Sequence, residues 1–167
     1  MEKKFKDERL LFVDFLISLK EQEKRSHLAT LRKGTKGNPE NMPQLYPIIL
    51  PQLPPGMSKW REKVYFEIAA LFSMHPEISD HGNLGNTFRE LQQKKESMNI
   101  EKRFVAILRA HKDDLYGRLR QAISLAKSED IGINWLQLLE DLENWNDRDS
   151  YVQKNWAKSF WGNASSY

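Results

Sequence analysis

The sequence has no cysteine. That excludes a disulfide framework and any thiolate metal site. It also lacks a long apolar run. The stretch from Leu10 to Leu19 is interrupted by Asp14, is too short to span a bilayer and has no small-residue cleavage site behind it. Neither a secretory signal nor a transmembrane helix is expected, and the cytosol is the expected compartment. No alternating strand pattern of useful length and no internal repeat is present. No serine is flanked by glycines at a strand–helix turn, which leaves nucleophilic catalysis without a site. Gly34-Thr35-Lys36-Gly37 is too short for a phosphate loop and follows a helix rather than a strand.

What remains is a chain of 167 residues with 40% hydrophobic and 29% charged side chains. Its eight Phe, five Tyr and five Trp supply large apolar areas for a core. Periodicity is helical almost throughout. Phe12, Phe15, Leu16 and Leu19 predict a helix over 6–22. A second is expected over 24–33, ended by Gly34 acting as a C-terminal glycine. Six of seven prolines then fall between Pro39 and Pro55, a density that forbids a continuing helix. Tyr46, Ile48, Ile49 and Leu50 lie among them, so this Pro-rich loop, 35–57, is expected to brace against the core.

Further helices follow. Ser58 is expected to cap one carrying Trp60, Val64, Ile68, Leu71 and Phe72. Thr87 and Glu90 have capping-box spacing. Asn99 is expected to cap a helix with Ile100, Phe104 and Ile107. Another carries Leu115, Leu119 and Ile123. Asn134 is expected to cap the helix of Trp135, Leu138, Leu139 and Leu142, and Asp149 or Ser150 to begin the last. The expected fold is all-α. About eight helices form two small bundles, 1–95 and 96–167.

Charge is unevenly distributed. Residues 24–39 hold five basic and no acidic side chains. Residues 89–127 hold ten basic and five acidic, whereas 129–149 hold seven acidic and one basic. This asymmetry fits an anionic partner on one face. Arg25 and Arg32 share one side of a helix, with Lys33 beside them. Lys102, Arg103, Arg109, Arg118 and Arg120 occupy two successive helices and would line a groove if those packed antiparallel. Arginine suits phosphate because its planar donors match two oxygens at once. Trp60, Trp135, Trp145 and Trp156 lie on apolar stripes and are assigned to the core. Glu140, Asp141 and Glu143 read as a solvated face, or as a docking surface for a basic neighbour.

Several blocks together resemble one family. Arg25 with Leu28-Ala29-Thr30-Leu31-Arg32-Lys33-Gly34 resembles the opening motif of the small subunit (CasB) of the type I-E CRISPR surveillance complex, Cascade. The likeness continues through Tyr65 to Pro76, at Arg103-Phe104, and from Leu115 to Leu125. It continues again from Trp135 to Trp145 and at Trp156-Ala157-Lys158-Ser159-Phe160. The family usually carries two arginines before the glycine. Here the second is Lys33, which keeps the charge.

The resemblance implies an all-α, non-catalytic subunit present in two copies. Its neighbours would be guide RNA, target DNA, the displaced strand and the other Cascade subunits. The two basic stretches supply the expected contacts to nucleic-acid backbone, Arg25, Arg32, Lys33, Lys102, Arg103, Arg109, Arg118 and Arg120, and no cofactor and no membrane are expected. Two other readings are open. One is a pure scaffold whose basic helices bind protein. The other is a metal-dependent hydrolase using His75, Glu77, Asp80 and His81.

Overall fold

The computed structural model describes residues 1–163. Among them it forms nine α-helices and no strand. The one β-bridge is an isolated parallel pair, Ile78 with Ile133. The contacts divide the chain into two compact units, the first ending at Pro76 and the second starting at Glu77. The sequence reading placed the division near residue 96. The difference lies in one helix, over Leu84–Lys95. It packs on the helices over Met98–Leu108 and Tyr151–Trp161, and so belongs with the second unit.

The first unit contains α1 (Glu2–Glu21), α2 (Arg25–Lys33), α3 (Tyr46–Ile49) and α4 (Lys59–Met74). Every residue of α4 from Val64 to Ser73 is buried. A helix buried on all sides must be central, and α4 is the axis of this unit. Ser58 caps it, accepting from the Arg61 backbone N–H at 3.2 Å. Against it α1 packs Phe12 on Tyr65, with ring centroids 4.7 Å apart. Trp60 is only half-buried, because it precedes the buried stretch of α4.

The proline-rich segment is not an unstructured loop. It is a chain of single turns: 3-10 turns at Gly34–Lys36, Pro39–Asn41, Pro43–Leu45 and Leu50–Gln52, and the one-turn α3. In the last four of these a proline holds the first or second position, where its missing N–H has no partner to lose. Lys63 of α4 pairs with Glu40 at 2.7 Å and ties the segment down. Gly34 is not a left-handed cap, since its φ of −59° is right-handed helical. It is small because space is short: an added Cβ would lie 2.9 Å from Pro39 Cβ and 3.1 Å from Ala70 Cβ.

The second unit contains α5 (Leu84–Lys95), α6 (Met98–Leu108), α7 (Lys112–Ser128), α8 (Trp135–Glu143) and α9 (Tyr151–Trp161). Two caps differ from the sequence reading. Helix α5 starts earlier than Thr87, with a capping box formed by Asn83 and Asn86. Helix α6 is capped by Ser97, which accepts from the Asn99 backbone N–H at 3.2 Å. Asn134 caps α8 as expected, accepting from Gln137 N–H at 3.1 Å. Trp135, Trp145 and Trp156 are buried here. No described helix is long and apolar enough to cross a membrane.

Candidate nucleic-acid interface

Helices α6 and α7 form an antiparallel hairpin, turned by residues 109–111. Residues early in α6 face residues late in α7: Arg103 shares a cleft with Arg120, Ser124 and Ser128. Residues at the end of α6 face the start of α7: Ala106 and Arg109 share another with Asp114 and Arg118. Between them lies a third cleft, bordered by Lys102, Arg103 and Arg118. The expected groove is therefore present, and the five basic residues of the second stretch lie along it.

The apolar stripes explain this placement. Ile100, Phe104 and Ile107 of α6, and Leu115, Leu119 and Ile123 of α7, are buried. Burying those faces turns Lys102, Arg103, Arg109 and Arg118 outward, and all four are exposed. Arg120 is half-buried beside Leu119. Arg103 follows the same logic: its neighbour Phe104 enters the core while Arg103 stays at the surface.

Cations of the same stretch differ in how they are used. Arg89 donates to the Gly162 carbonyl at 2.9 Å. Lys94 donates to the Glu129 carbonyl at 3.0 Å, and Lys95 pairs with the Glu129 carboxylate at 3.2 Å. These three hold the unit together. Among the described residues, no hydrogen bond or ion pair engages the side chains of Lys102, Arg103, Arg109 or Arg118. Their donors face solvent and are available to an anion.

The first unit distributes its three candidates differently. Arg25, Arg32 and Lys33 are all exposed on α2. Arg32, however, donates from Nε and Nη2 to the Ser73 carbonyl, at 3.3 and 3.2 Å. That carbonyl is in the last turn of α4, where helix carbonyls lack intrahelical partners. Arg32 thus fastens α2 to the end of α4, with the rest of its fork still open.

The acidic run is not uniformly solvated. Asp141 is buried and accepts from Trp156 Nε1 at 2.7 Å and from Gln137 Nε2 at 2.9 Å. Burial raises its pKa from 3.8 to about 6, against the opposing pull of those two hydrogen bonds. Asp141 is a core acceptor, while Glu140 remains exposed.

The histidine-rich segment is dispersed. His75 is buried, and His81 is exposed with its Nδ1 2.9 Å from Asp80. That hydrogen bond lowers the Asp80 pKa. No group of three or more His, Asp or Glu side chains among the described residues is placed to hold a metal ion.

Sequence reasoning missed the small residues of the hairpin. Ala106 and Ala122, beside Gln121, open the central cleft between the basic side chains. The only signal for them was the occurrence of alanine next to each apolar stripe.

Known proteins share this chain's pattern and shape. A family model described as CRISPR-associated protein Cse2 matches residues 27–161. A CRISPR-associated protein Cse2 from Thermus thermophilus is 35% identical over 131 residues, covering 74% of each chain. The crystal structure of CasB from Thermus thermophilus has a TM-score of 0.81 at 29% identity, over 91% of this chain and 96% of that one. The crystal structure of M. ruber CasB has a TM-score of 0.75 at 28% identity, over 92% of each. A chain of a CRISPR RNA-guided surveillance complex has the same fold, with a TM-score of 0.79 at 22% identity, over 93% of this chain and 92% of that one.

Proposed function

The chain belongs to the Cse2 family of CRISPR-associated proteins, and from that premise we propose that it is the non-catalytic small subunit of a type I-E Cascade ribonucleoprotein in antiviral defence. In this reading its α6–α7 hairpin grips nucleic-acid backbone and stabilises the R-loop. Its partners are the guide RNA and target DNA, the displaced strand, the other Cascade subunits and a second copy of itself.

One observation carries the reading. Four cations of the hairpin, Lys102, Arg103, Arg109 and Arg118, point to solvent with no partner among the described residues. Exposed like charges held together on one surface repel each other, and an anionic partner removes that cost. In an RNA-guided complex base pairing reads the sequence, so a subunit needs only charge and shape. The guide–target duplex nearly balances the DNA duplex it replaces, and a few phosphate contacts are then enough to tip strand opening. Arg25 and Lys33 on α2 are proposed as a second, smaller contact. Arg32 shares in it with the part of its fork that Ser73 leaves free.

The test is to reconstitute the ribonucleoprotein with Lys102, Arg103 and Arg118 all changed to Glu. Assembly is expected to be retained, and target-strand opening, read by permanganate reactivity of unpaired thymines, to fall by about tenfold or more, since three backbone contacts are replaced by repulsion. Unchanged strand opening in a fully assembled complex would leave the basic hairpin as a protein-docking scaffold instead.

A further inference from the structure

The central cleft of the α6–α7 hairpin has a composition that a phosphate contact alone does not use. Its floor is apolar, formed by Phe88 of α5 with Ala106, Ile107, Ala122 and Leu125. Its border is cationic: Lys102, Arg103 and Arg118. Gln121 is exposed beside it. No carboxylate lines it. The cavity volume is about 180 Å³. That is below the roughly 300–1,000 Å³ of sites that engulf a whole small molecule, and suits one planar ring rather than a complete cofactor.

We infer that this cleft takes the base of an unpaired nucleotide while the flanking phosphates rest on Lys102, Arg103 and Arg118. The inference rests on the proposed grip on backbone and adds to it a place for the base. A bare inorganic anion needs donors around it and gains nothing from an alanine floor. A cationic or neutral apolar ligand gains nothing from three cations at the mouth. A nucleotide joins a flat, weakly polar body to negative charge on both sides, and so uses floor and border together.

The occupant must come from a single strand, because a base inside a duplex is stacked and paired and cannot enter a side cleft. The cations also continue beyond the cleft in both directions. Arg120 lies past one end, in a cleft shared with Arg103, and Arg109 past the other, in a cleft shared with Arg118. A charged path leaving on both sides fits a polyanion that runs through, and favours nucleic acid over an acidic peptide. Gln121 carries both a donor and an acceptor, so it meets the edge of any base. The cleft is accordingly expected to tolerate all four bases.

The full-length chain is titrated with two oligonucleotides of the same phosphate count: a roughly 12-nucleotide oligothymidylate, within the usual single-strand site range, and its fully abasic counterpart. Thymidine is expected to bind at least ~5-fold tighter than the abasic strand, the low end of what one bound base contributes. Ala106→Phe, which fills the cleft without changing charge, is expected to bring thymidine down to the abasic level and leave abasic binding unchanged. Circular dichroism checks its fold, and Ala106→Leu serves as a smaller plug. Equal binding of both strands by the unaltered chain overturns the cleft but not the backbone grip. A thymidine preference that survives the plug also overturns the cleft. Binding of neither strand overturns the grip along with it.

Discussion

Asp141 illustrates how far a residue's environment departs from its place in the sequence. It lies in the acidic stretch of 129–149 and reads as surface, yet its side chain faces inward to Trp156 and Gln137. The reason is helical phase: Asp141 lies between the buried Leu138 and Leu142 of α8. Its raised pKa makes a pH prediction. Between about 4 and 6 the folded chain binds more proton at this group than the unfolded chain does, since the folded pKa is about 6 and the ordinary value 3.8. Stability from this group is therefore fully present below that window and declines as pH rises through it. Asp141→Asn removes the ionisation and keeps a polar partner for Trp156. The variant is expected to gain on the parent as pH rises from 4 to 7, as read by urea midpoints. A difference between the two that stays constant across that range would contradict the assignment. Arg32 teaches the same lesson from the other side. Its sequence position marks it as a free surface cation, but only the tertiary placement of Ser73 reveals that part of its fork is engaged.

Helices were the most legible level of the fold. The 3.6-residue stripes identified α1, α4, α6, α7 and α8, and Ser58 and Asn134 were readable as caps because each directly precedes its apolar stripe. The caps of α5 and α6 were not readable. Asn83 and Ser97 each have another plausible cap a few residues on, and only backbone geometry separates them. The turns between Pro39 and Pro55 were hidden for a related reason: proline forbids a long helix but favours the first turn of a short one. Glycines also depend on neighbours far along the chain. At Gly85 an added Cβ would run into the Trp156 carbonyl, so α5 and α9 meet with no room for a methyl group. Gly117, in the exposed part of α7, has nothing within 4 Å of the same position. Gly85→Ala is expected to destabilise by about 2 kcal/mol or more, because backbone must shift. Gly117→Ala is expected to stabilise by about 0.5–1 kcal/mol, from helix propensity alone. Thermal melts of the two variants check the contrast, and similar shifts in both would show that the close approach of α5 and α9 does not matter.

For the whole molecule, the basic surface divides into side chains that hold the protein together and side chains left over. Net charge of +3 cannot make that division, nor can the count of cations in a stretch. Arg89, Lys94 and Lys95 are spent on internal carbonyls and a carboxylate, whereas Lys102, Arg103, Arg109 and Arg118 are not. The sequence placed all of them in one region, and charge alone does not separate them. The packing of α6 on α7 supplies the physical distinction. The salt dependence of single-strand binding tests this division most directly. Each phosphate contact adds roughly −0.7 to the slope of log K against log salt. Four contacts through Lys102, Arg103, Arg109 and Arg118 are expected to give a slope of about −2.8. Changing Lys102, Arg103 and Arg118 to Gln should flatten it to about −0.7, while changing Arg89, Lys94 and Lys95 to Gln should leave it near −2.8 in variants that remain folded. Equal flattening in both triple variants would contradict the account, because the hairpin would then be no more than part of a generally basic surface.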